Sequence, residues 1–191
     1  MIDMPTIYYC ASSLDGYIAS SDDNIDWLTG YEPAPLGPEV EPVGPEFPAS
    51  YEEFYAEVGA MVSGSATYEW VMANAGEWPY DGKPYWVLTS RELSAEEGRD
   101  VRFNGSFEEM VESAGGRKLW IVGGGGVANQ FAEAGLLDEV WVTIVPVAVG
   151  AGRPLFERPL PGGPMRLMAA LPRKSGMVEL RYARRTLSAA A

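Results

Sequence analysis

Short apolar runs alternate along the chain with segments whose apolar residues recur at helical spacing. Residues 6–11, rich in β-branched and aromatic side chains, predict a buried strand. Further strands are predicted at residues 60–64, 85–89, 118–122 and 139–145, and helices at residues 51–58, 66–73, 107–113 and 126–133. Strands that alternate with helices indicate a largely parallel sheet with helices on both faces.

The pattern changes after Val149, where two apolar runs follow each other without a helix between them. Residues 165–171 and 177–184 predict strands, and residues 172–176, which include Pro172 and Gly176, predict their turn. We therefore expect an antiparallel hairpin at the edge of the sheet. The predicted fold class is a three-layer αβα arrangement in a single domain over residues 1–191.

Two segments lack apolar periodicity. Residues 22–48, rich in Pro, Gly and acidic residues, predict a long loop, and loops of such length in compact domains are commonly functional. Residues 186–191 predict a frayed end. Ser50 is expected to cap the helix at residues 51–58, with Glu53 at the capping-box position.

The composition excludes several kinds of chemistry. The 191 residues include no histidine, so there is no Ser-His-Asp or Cys-His pair and no His-ligated zinc. The single Cys10 forms no internal disulfide, and no metal site is expected. Neither a cleavable signal nor a stretch of about 20 apolar residues is present, so we expect a cytoplasmic protein without a membrane partner.

The charge balance argues against nucleic acid as the main partner. The formal net charge is -13, whereas nucleic-acid binding rests on clustered Lys and Arg. Basic residues are absent before Lys83, but the segment from Ala151 onward carries eight of them and only two acids. This tail either contacts nucleic acid or supplies solvated strand faces and ion pairs with the acidic half, and we favour the second interpretation.

The strongest local signal is a hydrophobic strand that leads through four glycines, Gly123 to Gly126, into a helix. Glycines allow backbone N–H groups and a helix N-terminus to approach an anion such as a pyrophosphate. A plain tight turn is the alternative. Neither the spaced dinucleotide fingerprint nor the P-loop pattern is present.

Two further strand ends carry small or polar residues. Ser63 to Glu69 places small residues and hydroxyls at a helix start, which indicates either an anion site or a simple N-cap. Leu88 to Arg91 places two hydroxyls and a guanidinium after a strand, and Arg91 is either a phosphate partner or half of a surface ion pair. Because ligands of open α/β sheets bind at the carboxyl ends of strands, we expect the three loops to act together.

These residues resemble the dihydrofolate reductase-like family, and most closely its branch related to the reductase domain of the bifunctional riboflavin-biosynthesis deaminase-reductase. The similarity runs in order from about Thr6 to Arg184. It is carried by residues 13–19, by Gly64-x-x-Thr67-Tyr68-Glu69, by Leu88 to Arg91, by Val122 with the glycine run, and by residues 137–146 followed by Gly150-Ala151-Gly152-Arg153-Pro154-Leu155-Phe156.

The resemblance implies a bound NADPH, with NADH as a possible substitute. Residues flanking the nicotinamide would be Ala11, Ile18, Val122, Gly123 and Gly124. The pyrophosphate would meet Gly125, Gly126, Val127, Ala128, Ala66 and Thr67, next to Gly64 and Ser65, and the adenosine end would meet Leu88, Thr89, Ser90 and Arg91. The family often carries an Arg at the position of Ser65, so Arg91, with Arg102, becomes the candidate for the 2′-phosphate.

The resemblance also implies a substrate side. The family's helix carboxylate falls on Ser50, and Glu53, one turn later, is either its replacement or a capping partner. Asp15 has either a substrate role or a turn role with Gly16. Thr143 matches a substrate-side Thr. Five aromatic residues would form a wall suited to a flat heterocycle, although aromatic residues at such positions are more often part of the core. They are Tyr9, Trp27, Tyr51, Phe54 and Tyr68.

The implied activity is hydride transfer from the nicotinamide to a C=N or C=O carbon, with the proton supplied through a water near Glu53, Asp15 or Thr143. The substrate would be a small heterocycle or a sugar-linked pyrimidine, as in 5-amino-6-(5-phosphoribosylamino)uracil reduction or dihydrofolate reduction. The alternative is a non-catalytic NADP(H)-binding protein with a sensing or scaffolding role. A homodimer is expected from the resemblance and from the exposed hairpin.

Overall fold

The computed structural model describes residues 5–33, 40, 51–95 and 97–184. Strands run over Thr6–Ser13 (β1), Tyr17–Ser20 (β2), Val58–Gly64 (β3), Tyr85–Leu88 (β4), Val101–Phe103 (β5), Lys118–Gly123 (β6), Glu139–Val145 (β7), Gly152–Pro154 (β8), Arg166–Pro172 (β9) and Val178–Ala183 (β10). Helices run over Asp26–Thr29 (α1), Tyr51–Glu57 (α2), Ser65–Asn74 (α3), Phe107–Ser113 (α4) and Gly125–Glu133 (α5).

The main sheet has eight strands in the order β5-β4-β3-β6-β1-β7-β10-β9. The six strands from β5 to β7 pair in parallel, and β10 is antiparallel to both β7 and β9. The mostly parallel sheet with a C-terminal antiparallel hairpin at its edge is thus confirmed. β2 and β8 form a separate two-stranded sheet.

Helices cover both faces of the sheet, because successive side chains of each buried strand point to opposite sides. On one face Tyr8, Val62 and Ile121 pack with Met110 of α4 and Phe131 of α5. On the other face an aromatic cluster packs with α2 and α3; it includes Ile7, Phe54, Met61, Tyr68, Tyr85, Trp120 and Trp141. The two clusters establish the expected three layers.

A close contact between backbone segments fixes the position of α4 against β3. A Cβ placed on Gly59 would lie 2.0 Å from the carbonyl oxygen of Ala114, so β3 can pass Ala114 this closely only because residue 59 has no side chain. Ser106 and Glu109 complete a capping box at the start of α4, which fixes where this helix begins.

Most predicted elements agree with the structure to within two residues, and two of them, α4 and β7, agree at both ends. Four short elements were not predicted, namely β2, α1, β5 and β8. The predicted loop at residues 22–48 contains α1. Outside the described residues lie much of this loop, Ser50 and the predicted frayed end at residues 186–191. Within the described ranges, no helix is long and apolar enough to cross a membrane.

Candidate functional site

The three loops singled out by the sequence lie at the carboxyl ends of three neighbouring strands. In the register of the sheet, Gly64 at the end of β3 lies beside Leu88 at the end of β4. On its other side β3 pairs with β6, where Ser63 lies opposite Gly123. The fold therefore brings the Leu88, Gly64 and Gly123 loops together along one edge of the sheet.

Two helices begin at this edge with open N-termini. The N-cap residues of α3 and α5 are Gly64 and Gly124, and among the described residues neither helix receives a side-chain cap. Their first turns also carry no acidic residue. By contrast, α4 begins with its own capping box. Because unpaired N–H groups and the helix dipole make such ends positive, both suit an anion.

The glycine run packs closely against the start of α3 and against β2. A Cβ on Gly123 would lie 2.9 Å from the hydroxyl oxygen of Thr67, and one on Gly124 would lie 3.4 Å from Cδ1 of Ile18. The Gly123–Gly124 peptide bond is cis. Thr67, Ile18 and the glycines, which lie far apart in sequence, therefore line one narrow cradle.

The start of α5 also contacts the segment that follows β8. A Cβ on Gly125 would lie 2.7 Å from the carbonyl oxygen of Leu155, and one on Gly126 would lie 2.8 Å from a carboxylate oxygen of Glu157. Asn129, fully buried on α5, accepts hydrogen bonds from the backbone N–H groups of Glu157 and Arg158 at 2.9 and 3.1 Å. Nothing in the local sequence marked Asn129 as the residue that fixes this segment.

Arg91 forms an ion pair on the surface. Its guanidinium donates to both carboxylate oxygens of Glu69 at 3.1 and 2.5 Å, and its backbone N–H donates to the hydroxyl of Thr89. Of the two interpretations of Arg91, the structure therefore shows the surface ion pair. Arg102, its suggested companion, pairs instead with Asp100 and stacks over the Trp86 ring at 5.2 Å.

Asp15 holds two loops together. It accepts hydrogen bonds from the hydroxyl of Ser13 at 2.6 Å and from the backbone N–H groups of Val149 and Gly150 at 3.0 and 2.7 Å. These hydrogen bonds, with that from Ser13 the largest, lower the pKa of Asp15 to about 2. The carboxylate is therefore ionised near neutral pH, and its hydrogen bonds join the segment after β1 to residues 149 and 150.

The aromatic residues of the predicted substrate wall are only partly brought together. Phe54 is buried and lies edge-on to Tyr9, with ring centroids 4.9 Å apart. Tyr51 is exposed on the same helix and stacks on Tyr55. Tyr68 lies instead in the core under α3, 2% exposed, and its hydroxyl donates to the carbonyl of Ser94, so it leaves no surface for a substrate.

Trp27 and Glu53 complete the predicted set. Trp27 lies on α1, and its indole N–H is buried without an acceptor in the described part of the chain. Glu53 is exposed in the first turn of α2. No group of three or more His, Cys, Asp or Glu in the described ranges could hold a metal ion.

A buried polar cluster, which sequence reasoning missed, lies on the same face as Tyr9. Glu179 of β10 is 1% exposed and accepts a hydrogen bond from the Tyr9 hydroxyl at 3.1 Å. It also pairs with Arg173 at 2.6 Å and with Arg181 at 2.5 Å. Its partner Tyr9 lies 170 residues away in sequence, so no local pattern could have revealed the contact.

The fold and this strand-end site together define a dihydrofolate reductase-like α/β protein. More narrowly, residues 75–177 match the model of the RibD C-terminal domain family, and the chain belongs to that family, which is of the reductase type. Protein YwjB of Bacillus subtilis (strain 168) is 32% identical over 158 residues, which cover 81% of this chain and 84% of YwjB.

Solved structures agree with this assignment. A putative riboflavin biosynthesis protein from Shewanella sp. PV-4 superposes with a TM-score of 0.75 at 25% identity, covering 96% of this chain and all of that one. Dihydrofolate reductase from Enterococcus faecalis, in complex with NADP(H), superposes with a TM-score of 0.61 at 18% identity, covering 95% and 97% of the two chains, and shows the shared fold alone. The resemblance inferred from the sequence is confirmed.

Proposed function

We propose that this protein is an NAD(P)H-dependent reductase that transfers hydride to a small heterocycle or a sugar-linked pyrimidine. The observation that carries the proposal is the pair of uncapped helix N-termini, α3 and α5, on either side of the glycine cradle. Two positive helix ends at adjacent strand ends match the charge of a pyrophosphate. NADP(H) is the ligand named with the Enterococcus faecalis reductase of the same fold.

The residues present fit a dinucleotide along the strand-end edge. The first turns of α3 and α5, with Thr67, would hold the pyrophosphate, because a side chain at Gly123 or Gly124 would fill the cradle between them. Ala11, Ile18 and Val122 would flank the nicotinamide, and residues 88–91 would hold the adenosine. The bound nicotinamide supplies the hydride, which is why the absence of histidine is no obstacle.

Both forms of the dinucleotide are compatible with the charges at the adenosine end. Arg91 offers a positive charge to a 2′-phosphate, but the Glu69 carboxylate that it holds cancels most of that charge. The Glu157 carboxylate lies beside the first turn of α5, at the pyrophosphate, where it affects NADPH and NADH alike. We therefore expect only a small preference for NADPH over NADH.

The protein's own contribution at the substrate side is orientation and exclusion of water. Tyr9 is half-buried and packs edge-on against the rings of Phe54 and Trp141, which are themselves buried 5.3 Å apart, so these two rings support Tyr9 rather than contact a substrate. The buried indole N–H of Trp27 offers a donor to a ligand or a bound water. Catalytic roles for Asp15, Glu53 and Thr143 remain predictions, as do a homodimer and a cytoplasmic location.

The first test measures dinucleotide binding. Isothermal titration calorimetry with NADPH and with NADH should show binding of both to the wild-type protein, and added inorganic pyrophosphate should compete with each. The matched variants are Thr67→Val, which removes a hydroxyl from the cradle, and Ser106→Ala, which removes one from a helix start outside the site. Binding should weaken in the first variant alone, and a protein that binds neither dinucleotide contradicts the proposal.

The second test measures turnover. Dihydrofolate and 5-amino-6-(5-phosphoribosylamino)uracil are offered with NADPH, and the loss of reduced cofactor is followed by absorbance. Steady oxidation that depends on one of these acceptors supports the reductase. Tight dinucleotide binding with no oxidation over these and a broader panel of pterins and pyrimidines would instead indicate a non-catalytic NADP(H)-binding protein.

A further inference from the structure

A carboxylate of the chain itself lies beside the helix end that would bind the pyrophosphate. The two carboxylate oxygens of Glu157 lie 2.8 and 2.9 Å from the position that a Cβ on Gly126 would take. Gly126 is the second residue of α5, and the Cβ positions of a helix are tilted toward its N-terminus. Glu157 therefore places a negative charge on the flank of the first turn of α5, toward its N-terminal end.

The Glu157 carboxylate does not occupy the hydrogen-bond donors of this helix end. The N–H groups of residues 127–128 donate to the carbonyl oxygen of Gly124 at 3.1 and 3.2 Å. Among the described residues, the N–H groups of Gly125 and Gly126 have no acceptor, and the carboxylate of Glu157 takes part in no hydrogen bond or ion pair. The donors thus stay open to a ligand, although a negative charge lies beside them.

The backbone that carries Glu157 is held in place against α5. Asn129, fully buried in that helix, accepts from the N–H groups of Glu157 and Arg158 at 2.9 and 3.1 Å, and its amide donates to the Arg158 carbonyl at 2.9 Å. A Cβ on Gly125 would lie 2.7 Å from the carbonyl oxygen of Leu155, so the two backbones also pack closely here. The charge of Glu157 can therefore move only through its own side-chain torsions.

This charge has opposite effects in the free protein and in the protein with a bound anion. The first turn of α5 contains no acidic residue, so Glu157 supplies from another segment the negative charge that a helix N-terminus favours. In the free protein this charge stabilises α5. A pyrophosphate at the same helix end is also negative, so Glu157 repels it. Stability without a ligand and affinity for a ligand are therefore set against each other.

We propose that Glu157 is an internal competitor for the N-terminus of α5, a residue whose carboxylate stabilises the free protein and weakens the binding of a ligand's pyrophosphate. This inference rests on the proposed function, because the pyrophosphate is the part of the dinucleotide that would lie at α5. It adds to that function a residue that sets the affinity for the dinucleotide. NADPH and NADH are affected equally, since both carry the pyrophosphate.

The test measures two quantities in Glu157→Gln, a variant that keeps the side-chain shape and removes the charge. In calorimetry at low ionic strength, NADPH and NADH should both bind roughly five- to tenfold more tightly, because one pair of unit charges about 4 Å apart in water is worth about fivefold and the pyrophosphate carries two charges. The melting temperature of the free variant should fall by roughly 1–4 °C. A purely structural role of Glu157 would instead lower affinity and stability together.

Two controls locate the effect at the start of α5. Glu133→Gln removes a carboxylate from the last residue of the same helix, about 12 Å from its first residue, and should leave both affinities unchanged. Glu157→Ala, a second variant without the charge, should reproduce both shifts of Glu157→Gln.

The outcomes separate this inference from the proposed function. Unchanged or weaker binding of both dinucleotides in Glu157→Gln, an equal gain in Glu133→Gln, or a melting temperature that does not fall would each overturn the inference alone, provided that the wild-type protein binds dinucleotide. If neither the wild-type protein nor Glu157→Gln binds either dinucleotide, the proposed function fails and the inference fails with it.

Discussion

The ion pair between Arg91 and Glu69 allows a quantitative prediction about cofactor preference. We expect Arg91→Ala to weaken NADPH binding and Glu69→Gln to strengthen it, because each change alters by one unit the charge that faces a 2′-phosphate. The two side chains are 51% and 45% exposed, so their field is close to that in water. Two unit charges about 4 Å apart in water interact by about 1 kcal/mol, equivalent to roughly fivefold in affinity.

The expected pattern involves both dinucleotides and both variants. Arg91→Ala should lower NADPH affinity roughly fivefold and Glu69→Gln should raise it by a similar factor, with both effects decreasing as salt is added. NADH, which lacks the 2′-phosphate, should change by less than about twofold in either variant. The double variant, which restores the original net charge, should bind NADPH about as well as the wild-type protein.

Isothermal titration calorimetry at low ionic strength measures these affinities. Arg99→Ala is the matched control, since Arg99 is another exposed arginine in an ion pair, with Asp81, and it lies at the other end of the segment that joins β4 to β5. Equal losses for NADPH and NADH in Arg91→Ala would refute the reasoning, because they would place Arg91 away from the 2′-phosphate. An unchanged NADPH affinity in Glu69→Gln would refute the claim that Glu69 cancels its charge.

Three further predictions concern stability and are measured by thermal or denaturant unfolding. Because the pKa of Asp15 is lowered in the folded protein, its ionised form stabilises the fold above pH 4, and this contribution is lost as the pH falls from about 4 to about 2. Asp15→Asn should therefore lower the melting temperature at pH 7 and reduce its decline in acid. A decline as steep as that of the wild-type protein would contradict this prediction. Gly59→Ala should cost roughly 3 kcal/mol or prevent folding, because its Cβ would meet a backbone carbonyl, whereas Gly64→Ala, with its nearest neighbour at 3.5 Å, should fold normally. Ser106→Ala should cost about 1 kcal/mol and lower the melting temperature by roughly 2–4 °C, and an unchanged melting temperature would mean that the capping box does not stabilise α4.

Elements with a strong repeating pattern could be predicted from the sequence, and short elements could not. α4 has apolar residues at helical spacing and β7 is a nearly continuous apolar run, each over seven residues, and both were predicted at their observed ends. β2 and β8 have four and three residues, too few for a period to show, and each is a strand because the other lies beside it. The positions of the three site loops could be predicted because each loop follows the end of a strand, and hydrophobic patterns locate strand ends.

The partners of the site residues could not be predicted, because they depend on strand order. Nothing near Arg91 indicates that Glu69, 22 residues earlier, holds its guanidinium. The contact between Tyr9 and Glu179 requires β1 and β10 to lie on either side of β7, an order that the sequence pattern does not specify. Asp15 shows the same limit, since two of its three hydrogen-bond donors come from residues 149 and 150.

The central place of β1 has a consequence for how the chain folds during synthesis. β1 lies between β6 and β7, and it pairs with residues 119–121 on one side and 139–145 on the other. At about 5–20 residues per second, the ribosome delivers these neighbours roughly 6–30 s after β1 itself has been made. During that interval an apolar, unpaired strand is exposed in the nascent chain, so the protein depends on late, long-range pairing and should fold slowly for its size.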